Sequence, residues 1–247
     1  MIRPGGESLT IKAIEKAGLS GGDHVIDIGC GEGDTVQLLA DRFGMNAVGV
    51  DASTKMIDKG KKKHPGIDLR RMDSHTIEFE SNTFDAVLME CSLSVMRLQE
   101  DACFEAYCML KPGGKLIITD LYRQNPDMQS VAAMLEEAHE KASRPKVDND
   151  CDENERVSFI MLDGAIVVDE LHGMLEEMGF LLVHFEDIPH ALSNFAAQAI
   201  MGYGTLDDYF KSQVPEGDDP NDYCACEAFV NRKNLGYFLM ILEKVGQ

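Results

Sequence analysis

The sequence predicts an α/β fold, a parallel sheet with helices on both faces. Three observations predict it. Short runs rich in Val and Ile recur through the first half of the chain. Segments with helical spacing alternate with them, which is the pattern of a parallel sheet with crossover helices. The first run, "HVIDIG", leads straight into a glycine turn, "GCGEGD", of the kind that joins a buried strand to a helix.

The elements follow in order. "ESLTIKAIEKAGL" reads as a helix, with Ile11, Ile14 and Ala17 at near-helical spacing and Gly18 near its end. "HVIDIG" is a buried strand and "DTVQLLADRFG" the helix after it, stopped by Gly44. "NAVGVD" is a second buried strand, and "STKMIDKGKKKHP" a helix capped by Ser53 or Thr54 and stopped by Pro65. "IDLRRMD" is a strand near the sheet edge and "FDAVLME" another buried one. In "LQEDACFEAYCML", Cys103, Phe104, Tyr107 and Cys108 share a helical face. "KPGG" is a turn, and "KLIITDLY" a fifth strand. Right-handed crossovers then bring the strands' carboxyl ends to one edge, where ligands bind.

The second half is less regular. "DMQSVAAMLEEAHEKAS" reads as a helix, "RPKVDNDCDENER" as an acidic loop, "VVDELHGMLEEMGF" as a helix and "FLLVHFED" as a strand. Residues 189 to 235 carry two or three helices, and "LGYFLMILEKV" is the last strand. No composition shift marks a linker, so residues 1–247 are expected to form a single domain. Segments 123–165 and 189–235 are expected to be additions that cover a substrate.

Composition narrows the partners. Lys and Arg number 23 and Asp and Glu 43, a formal charge of −20. Such a chain repels phosphate backbones and anionic membranes and attracts cations, so nucleic acid is not an expected partner. No apolar run approaches the ~18 residues of a membrane span. "MIRPGGESLT" lacks an apolar core, so no secretion signal is expected. Seven scattered cysteines give no disulfide framework and suit a reducing cytoplasm. The expected assembly is a monomer or homodimer.

Gly29, Gly31 and Gly33 allow positive φ and let a ligand approach where a Cβ would obstruct it. Such a turn serves a dinucleotide, a phosphate or another adenosine ligand. The dinucleotide fingerprint G-x-G-x-x-G/A, counted from Gly29, ends at Asp34. An aspartate there crowds helix–strand packing and, with Glu32, repels a pyrophosphate. No Gly-Lys-Ser/Thr follows, so the Walker pattern fails as well. An adenosine ligand with little negative charge fits, and S-adenosylmethionine, with a sulfonium, an ammonium and one carboxylate, is such a ligand. Asp27 at the first strand's end is placed to accept from the ammonium. Asp51 ends the second strand, 22 residues after Gly29, and suits the ribose hydroxyls, a feature shared with NAD enzymes. Asp73 suits the adenine amino group and the Ser74 N–H a ring nitrogen. Met56 and Ile57 suit the adenine face. Cys30 and Ala52 lie in the same two turns and complete the cofactor set.

"VIDIGCGEGD", "VGVDAS", "MDSHTIEFESNTFDAVLMECSLS" and "MLKPGGKLIITDLY" resemble, in order and spacing, the class I S-adenosylmethionine-dependent methyltransferases. The likeness is to the small-molecule branch that includes quinone-biosynthesis enzymes, and it spans about residues 10 to 122. It implies a doubly wound, Rossmann-like seven-stranded sheet with the last strand antiparallel. It also implies cofactor binding by Asp27, Gly29, Gly31, Asp51 and Asp73, and S-adenosylhomocysteine as a product. That branch often carries an aromatic or histidine-rich stretch after the fourth strand. Here the stretch reads "ECSLSVM", so the acceptor does not carry over.

Methyl transfer is an in-line displacement that needs alignment and exclusion of water. A general base is needed only for a nucleophile that is protonated at working pH. Glu90 either faces the cofactor, acts as a base or is a solvated strand-end acid. Cys91 is a small pocket-lining residue or a nucleophile. Tyr122 and Arg123, with Asp120 and Asn125, follow the fifth strand toward a substrate. Arg123 either holds a substrate carboxylate or pairs with a neighbouring acid. "RPGG" is either a lid with Arg3 turned inward or a loose terminus. The expected acceptor is apolar or aromatic with an anionic group. "KGKKKH" reads as a solvated helix end. His75, His139 and His184 lack a partner at ligand spacing, and no metal is expected. "CAC" at Cys224 and Cys226 is too tight for a zinc knuckle. A minor alternative joins these two with Cys91 and Cys151 in a thiol pocket for a soft metalloid. Two rival functions remain: a non-catalytic binding module on the same fold, and an NAD-dependent oxidoreductase.

Overall fold

In the computed structural model, which describes residues 3–96, 98–123, 165–213 and 235–246, every apolar run of the first half is a strand. These are β1 (His24–Ile28), β2 (Asn46–Asp51), β3 (Asp68–Arg71), β4 (Phe84–Glu90) and β5 (Leu110–Arg123), joined later by β6 (Phe180–Asp187) and β7 (Leu235–Lys244). Successive side chains of a strand point to opposite faces, and both faces here are covered. Ile26, Val87, Ile118 and Met240 enter one core with α4 (Gln99–Met109) and α5 (Val168–Glu177). Their chain neighbours Val25, Leu88, Ile117 and Ile241 enter the other with α1 (Gly6–Ala17) and α2 (Asp34–Phe43). Unbroken apolar runs, rather than alternating ones, are what such a two-faced burial requires.

The sheet order is β3-β2-β1-β4-β5-β7-β6. Pairing is parallel out to β5, and β7 runs antiparallel to both β5 and β6. This is the doubly wound seven-stranded sheet that the resemblance implies. The strand order reverses between β1 and β4, and a crevice opens there at the carboxyl ends. Register sets those ends level. Asp27 lies beside Gly49 and Leu88, Asp51 beside Arg71, and Glu90 beside Thr119.

Local signals behave as read, with three differences. Gly18 and Gly44 end α1 and α2 in the left-handed conformation. Of the two candidate caps of α3 (Thr54–Lys63), Ser53 is the one used: its Oγ accepts the Met56 N–H at 3.3 Å. The first difference is "KPGG", which is no separate turn. It lies inside β5 as an irregularity, with Leu110 opposite Phe84 and Lys115 opposite Ala86, and Gly113 takes φ +79°. Second, Phe104 leaves the buried face of α4 and is 55% exposed, because Ala102, Cys103, Ala106 and Met109 face the sheet. Third, Lys63 and His64 at the end of α3 do not simply point to solvent. They turn back onto acids of the glycine turn. In the region 189–235, α6 (Ala191–Tyr203) and α7 (Leu206–Gln213) are described. Residues 124–164 and 214–234, with the acidic loop, His139, Asn125, Cys151, Cys224 and Cys226, lie outside the described residues. Among the described residues, no helix is long and apolar enough to cross a membrane.

Candidate active site

The crevice holds two adjoining cavities that share Gly29 and Cys91. One, of about 750 Å³, is lined by Asp51, Ala52, Asp73, Ser74 and His75. The other, of about 480 Å³, is lined by Arg3, Asp27, Gly31, Glu90, Tyr203 and Tyr209, with Cys30 and Met56 also on its wall. The expected site residues therefore converge, with four exceptions. Tyr122 and Arg123 line neither cavity; the Tyr122 hydroxyl donates to Asp187 at 3.0 Å. Asp120 is wholly buried, where its carboxylate accepts from the Ser94 N–H at 2.9 Å and the Ser94 hydroxyl at 2.6 Å. Ile57 is buried against Cys30, Val36 and Leu69 rather than facing the cavity. Met72 and Met96 stand beside the Asp73 cavity instead.

The glycine turn is bent because it has to be. Gly29 sits at φ +80°, and a Cβ there would lie 2.5 Å from the Ser92 Cβ. The Gly31 N–H donates to Asp51 at 2.9 Å, and the Ser53 N–H donates to the other carboxylate oxygen at 2.8 Å. Asp51 therefore ties the first strand's turn to the second strand's end. Asp27 is 3% exposed beneath that turn. Burial raises its pKa well above the ordinary carboxyl value, the Glu90 charge adds to the rise, and Arg3 opposes it. Asp73 is more open and pairs with His75 Nδ1 at 2.6 Å.

Glu90 is neither solvated nor loose. Its Oε1 accepts the Thr10 hydroxyl at 2.9 Å, and its Oε2 accepts the Thr35 hydroxyl at 2.8 Å. Arg3 Nη2 stands 2.8 Å from the same Oε2 and also bonds Thr10. So the "RPGG" segment is folded inward, with Arg3 buried. A carboxylate held by two hydroxyls and a guanidinium anchors the chain start. Cys91 has φ +56°, a strained conformation for a residue with a side chain, at the wall between the cavities. Burial pushes its thiol up to about 12, which disfavours the thiolate and suits a pocket-lining role.

Asp34 faces α3 rather than the sheet, bonded by Lys63 at 2.9 Å and by His64. Burial raises its pKa, and these two partners more than offset that. Lys63, which also bonds Glu32, thus offsets part of the turn's charge, one ammonium against two carboxylates. What remains against a pyrophosphate is Asp27, a buried acid under the turn. Arg3 and Lys63, the cations on that wall, are each already paired with a carboxylate. The sequence reading missed Thr10 and Thr35, which look like ordinary helix residues. It also missed Tyr203 and Tyr209, which reach the site from helices with no motif to announce them.

Residues 25–114 match the Methyltransferase domain family. A demethylmenaquinone methyltransferase of Renibacterium salmoninarum is 32% identical over 107 residues, 43% of this chain and 45% of that protein. The chain thus spans less than half the length of that relative. Among solved structures, phosphoethanolamine N-methyltransferase 2 of Haemonchus contortus in complex with S-adenosyl-L-methionine matches with a TM-score of 0.70 at 18% identity, covering 100% of this chain and 54% of that one. The [4+2]-cyclase SpnF matches with a TM-score of 0.67 at 21% identity, covering 97% and 82%. At these identities the structural likeness concerns the fold, and one fold hosts more than one chemistry.

Proposed function

We propose that this chain, whose residues 25–114 match a methyltransferase domain family and which carries the seven-stranded sheet, is an S-adenosylmethionine-dependent methyltransferase of a small-molecule acceptor. One observation carries the reading. Asp27, Asp51 and Asp73, at or just beyond the ends of three successive strands, line two cavities that join at Gly29 and Cys91.

The residues fit the ligand. Space over Gly31 is open, since a Cβ there would meet nothing within 4 Å. A buried carboxylate suits an ammonium, and an acid at the end of β2 suits a ribose. When bound, the group supplies a methyl carbon already activated by a sulfonium. The chain's own residues then bind, orient and exclude water. Asp51, with Ala52, holds the ribose; Asp73 and the Ser74 N–H hold the adenine; Asp27 holds the ammonium. Gly29, Cys30 and Gly31 let the amino-acid end lie against backbone, with Met56 beside it. The inward-folded segment before α1, with Arg3, shields the buried side.

The acceptor enters beside Cys91, against the edge-to-face pair of Tyr203 of α6 and Tyr209 of α7, whose rings lie 5.2 Å apart, in the segment 189–235 expected to cover a substrate. With Lys63 at the rim paired to acids, and Tyr122 and Arg123 elsewhere, this wall favours a neutral or cationic acceptor over an anionic one. No side chain is required as a base when the acceptor atom already carries a lone pair.

Titration with S-adenosylhomocysteine tests the cofactor, and release of that product over a panel of metabolites tests the chemistry. The reading expects tight binding, loss of most of it in Asp51→Ala, and turnover with some acceptor. Unchanged affinity in Asp51→Ala, or NADH bound in preference, overturns it. Binding without turnover on any acceptor leaves a non-catalytic module.

A further inference from the structure

An α-amino-acid end is a zwitterion, so a pocket built for one needs an anion and a cation close together. The second cavity has such a couple in Asp27 and Arg3, both buried. Arg3 is fixed on this wall by Glu90 Oε2, 2.8 Å from its Nη2, and its charge favours the carboxylate form of Asp27. Lys63, the other cation on this wall, sits at the rim, 44% exposed, and is taken by Glu32 and Asp34.

The chain start is shaped to deliver Arg3. Gly5 and Gly6 both take positive φ, +77° and +56°. A Cβ on Gly5 would lie 2.3 Å from Leu9 Cδ2, so only glycine fits there. The Gly6 N–H donates back to the Arg3 carbonyl at 3.0 Å, closing the turn that brings Arg3 over Glu90. A guanidinium carries five N–H donors in a planar fork, and so can hold Glu90 and a second carboxylate together.

We propose that Arg3 binds the carboxylate of the cofactor's methionine end while Asp27 binds its ammonium, which moves Arg3 from the acceptor to the cofactor. This rests on the cofactor reading above. It makes the segment leading into α1 part of the cofactor pocket.

The test compares S-adenosylhomocysteine with its decarboxylated analogue, which keeps the adenosine and the amine. By calorimetry, the wild-type chain should prefer the carboxylated ligand by about ten- to a hundredfold, the worth of a charge-assisted hydrogen bond. Arg3→Met should reduce that preference to within about threefold while still binding the analogue. Arg3→Lys, which keeps the charge and loses the fork, should fall between. Equal wild-type affinity for the two ligands overturns the inference without any variant. So does a preference that survives in Arg3→Met, or an equal loss of both ligands in that variant. If the wild-type chain binds neither ligand, the cofactor reading itself falls.

Discussion

Arg3 Nη2 lies 2.8 Å from Glu90 Oε2, and both side chains are buried. The pair joins the start of the chain to the end of β4 across the crevice. Removing one partner of a buried ion pair strands the other charge, at a cost of roughly 3–5 kcal/mol. Glu90→Gln should therefore destabilise the protein by about that much, read from denaturant unfolding at neutral pH. The pH profile of turnover should keep its shape. A variant of unchanged stability that has lost one limb of that profile would instead make Glu90 a base.

Asp27 predicts a pH dependence. In the free protein its carboxyl keeps a proton above the ordinary range of about 3.9, because burial and then Glu90 disfavour the charge. A ligand ammonium favours the carboxylate. Binding should therefore release a proton, and affinity should rise with pH through the window between the ordinary carboxyl value and the raised one, then level off. Calorimetry of S-adenosylhomocysteine binding in buffers of different ionisation heat measures this. Asp27→Asn should bind weakly and without proton release. Affinity that falls as pH rises would contradict the assignment.

Two glycines of one turn should behave differently. Gly29→Ala meets both a left-handed φ and the Ser92 Cβ at 2.5 Å, so it should cost about 2–5 kcal/mol of stability. Gly31→Ala meets only its φ of +55°, about 1–2 kcal/mol. Yet Gly31→Ala puts a methyl into the space over the turn, so it should lose ligand affinity far beyond its loss of stability. Thermal melts beside titrations separate the two effects.

Asp120 is the second buried acid that titrates abnormally. Burial raises it to about 6, outweighing the bonds from Ser94 and the Leu121 N–H. A folded-state carboxyl pKa above the unfolded one means that stability is lost as pH rises between the two values. Asp120→Asn escapes that cost. Relative to wild type it should gain stability as pH goes from about 4 to about 6, by up to roughly 3 kcal/mol. Melts at pH 4 and pH 7 check this. A difference between the two proteins that does not change with pH would place the Asp120 pKa at an ordinary value.

What the sequence made legible follows from which signals are local. The strands of the first half read cleanly because Val25–Ile28 and Val87–Met89 are buried on both faces, which demands unbroken apolar runs. The strand-end acids read cleanly because a parallel sheet sends all such ends to one edge. Side-chain direction at the end of a strand was not legible. "DLYR" closes β5, yet Asp120 turns into the core and Tyr122 toward Asp187. The anchoring of Glu90 was hidden as well, since Thr10 and Thr35 come from two helices 25 residues apart. The pairing of Asp34 with Lys63 and His64 spans 29 and 30 residues, and it weakens a repulsion that the linear sequence implied.

A crystal of this chain soaked with S-adenosylhomocysteine tests the central claim most directly. The account predicts the purine beside Asp73, the ribose on Asp51 and the amino group within hydrogen-bonding distance of Asp27, all in the crevice at Gly29. Ligand density elsewhere on the molecule, or any of these three carboxylates facing away from the bound nucleoside, would contradict it.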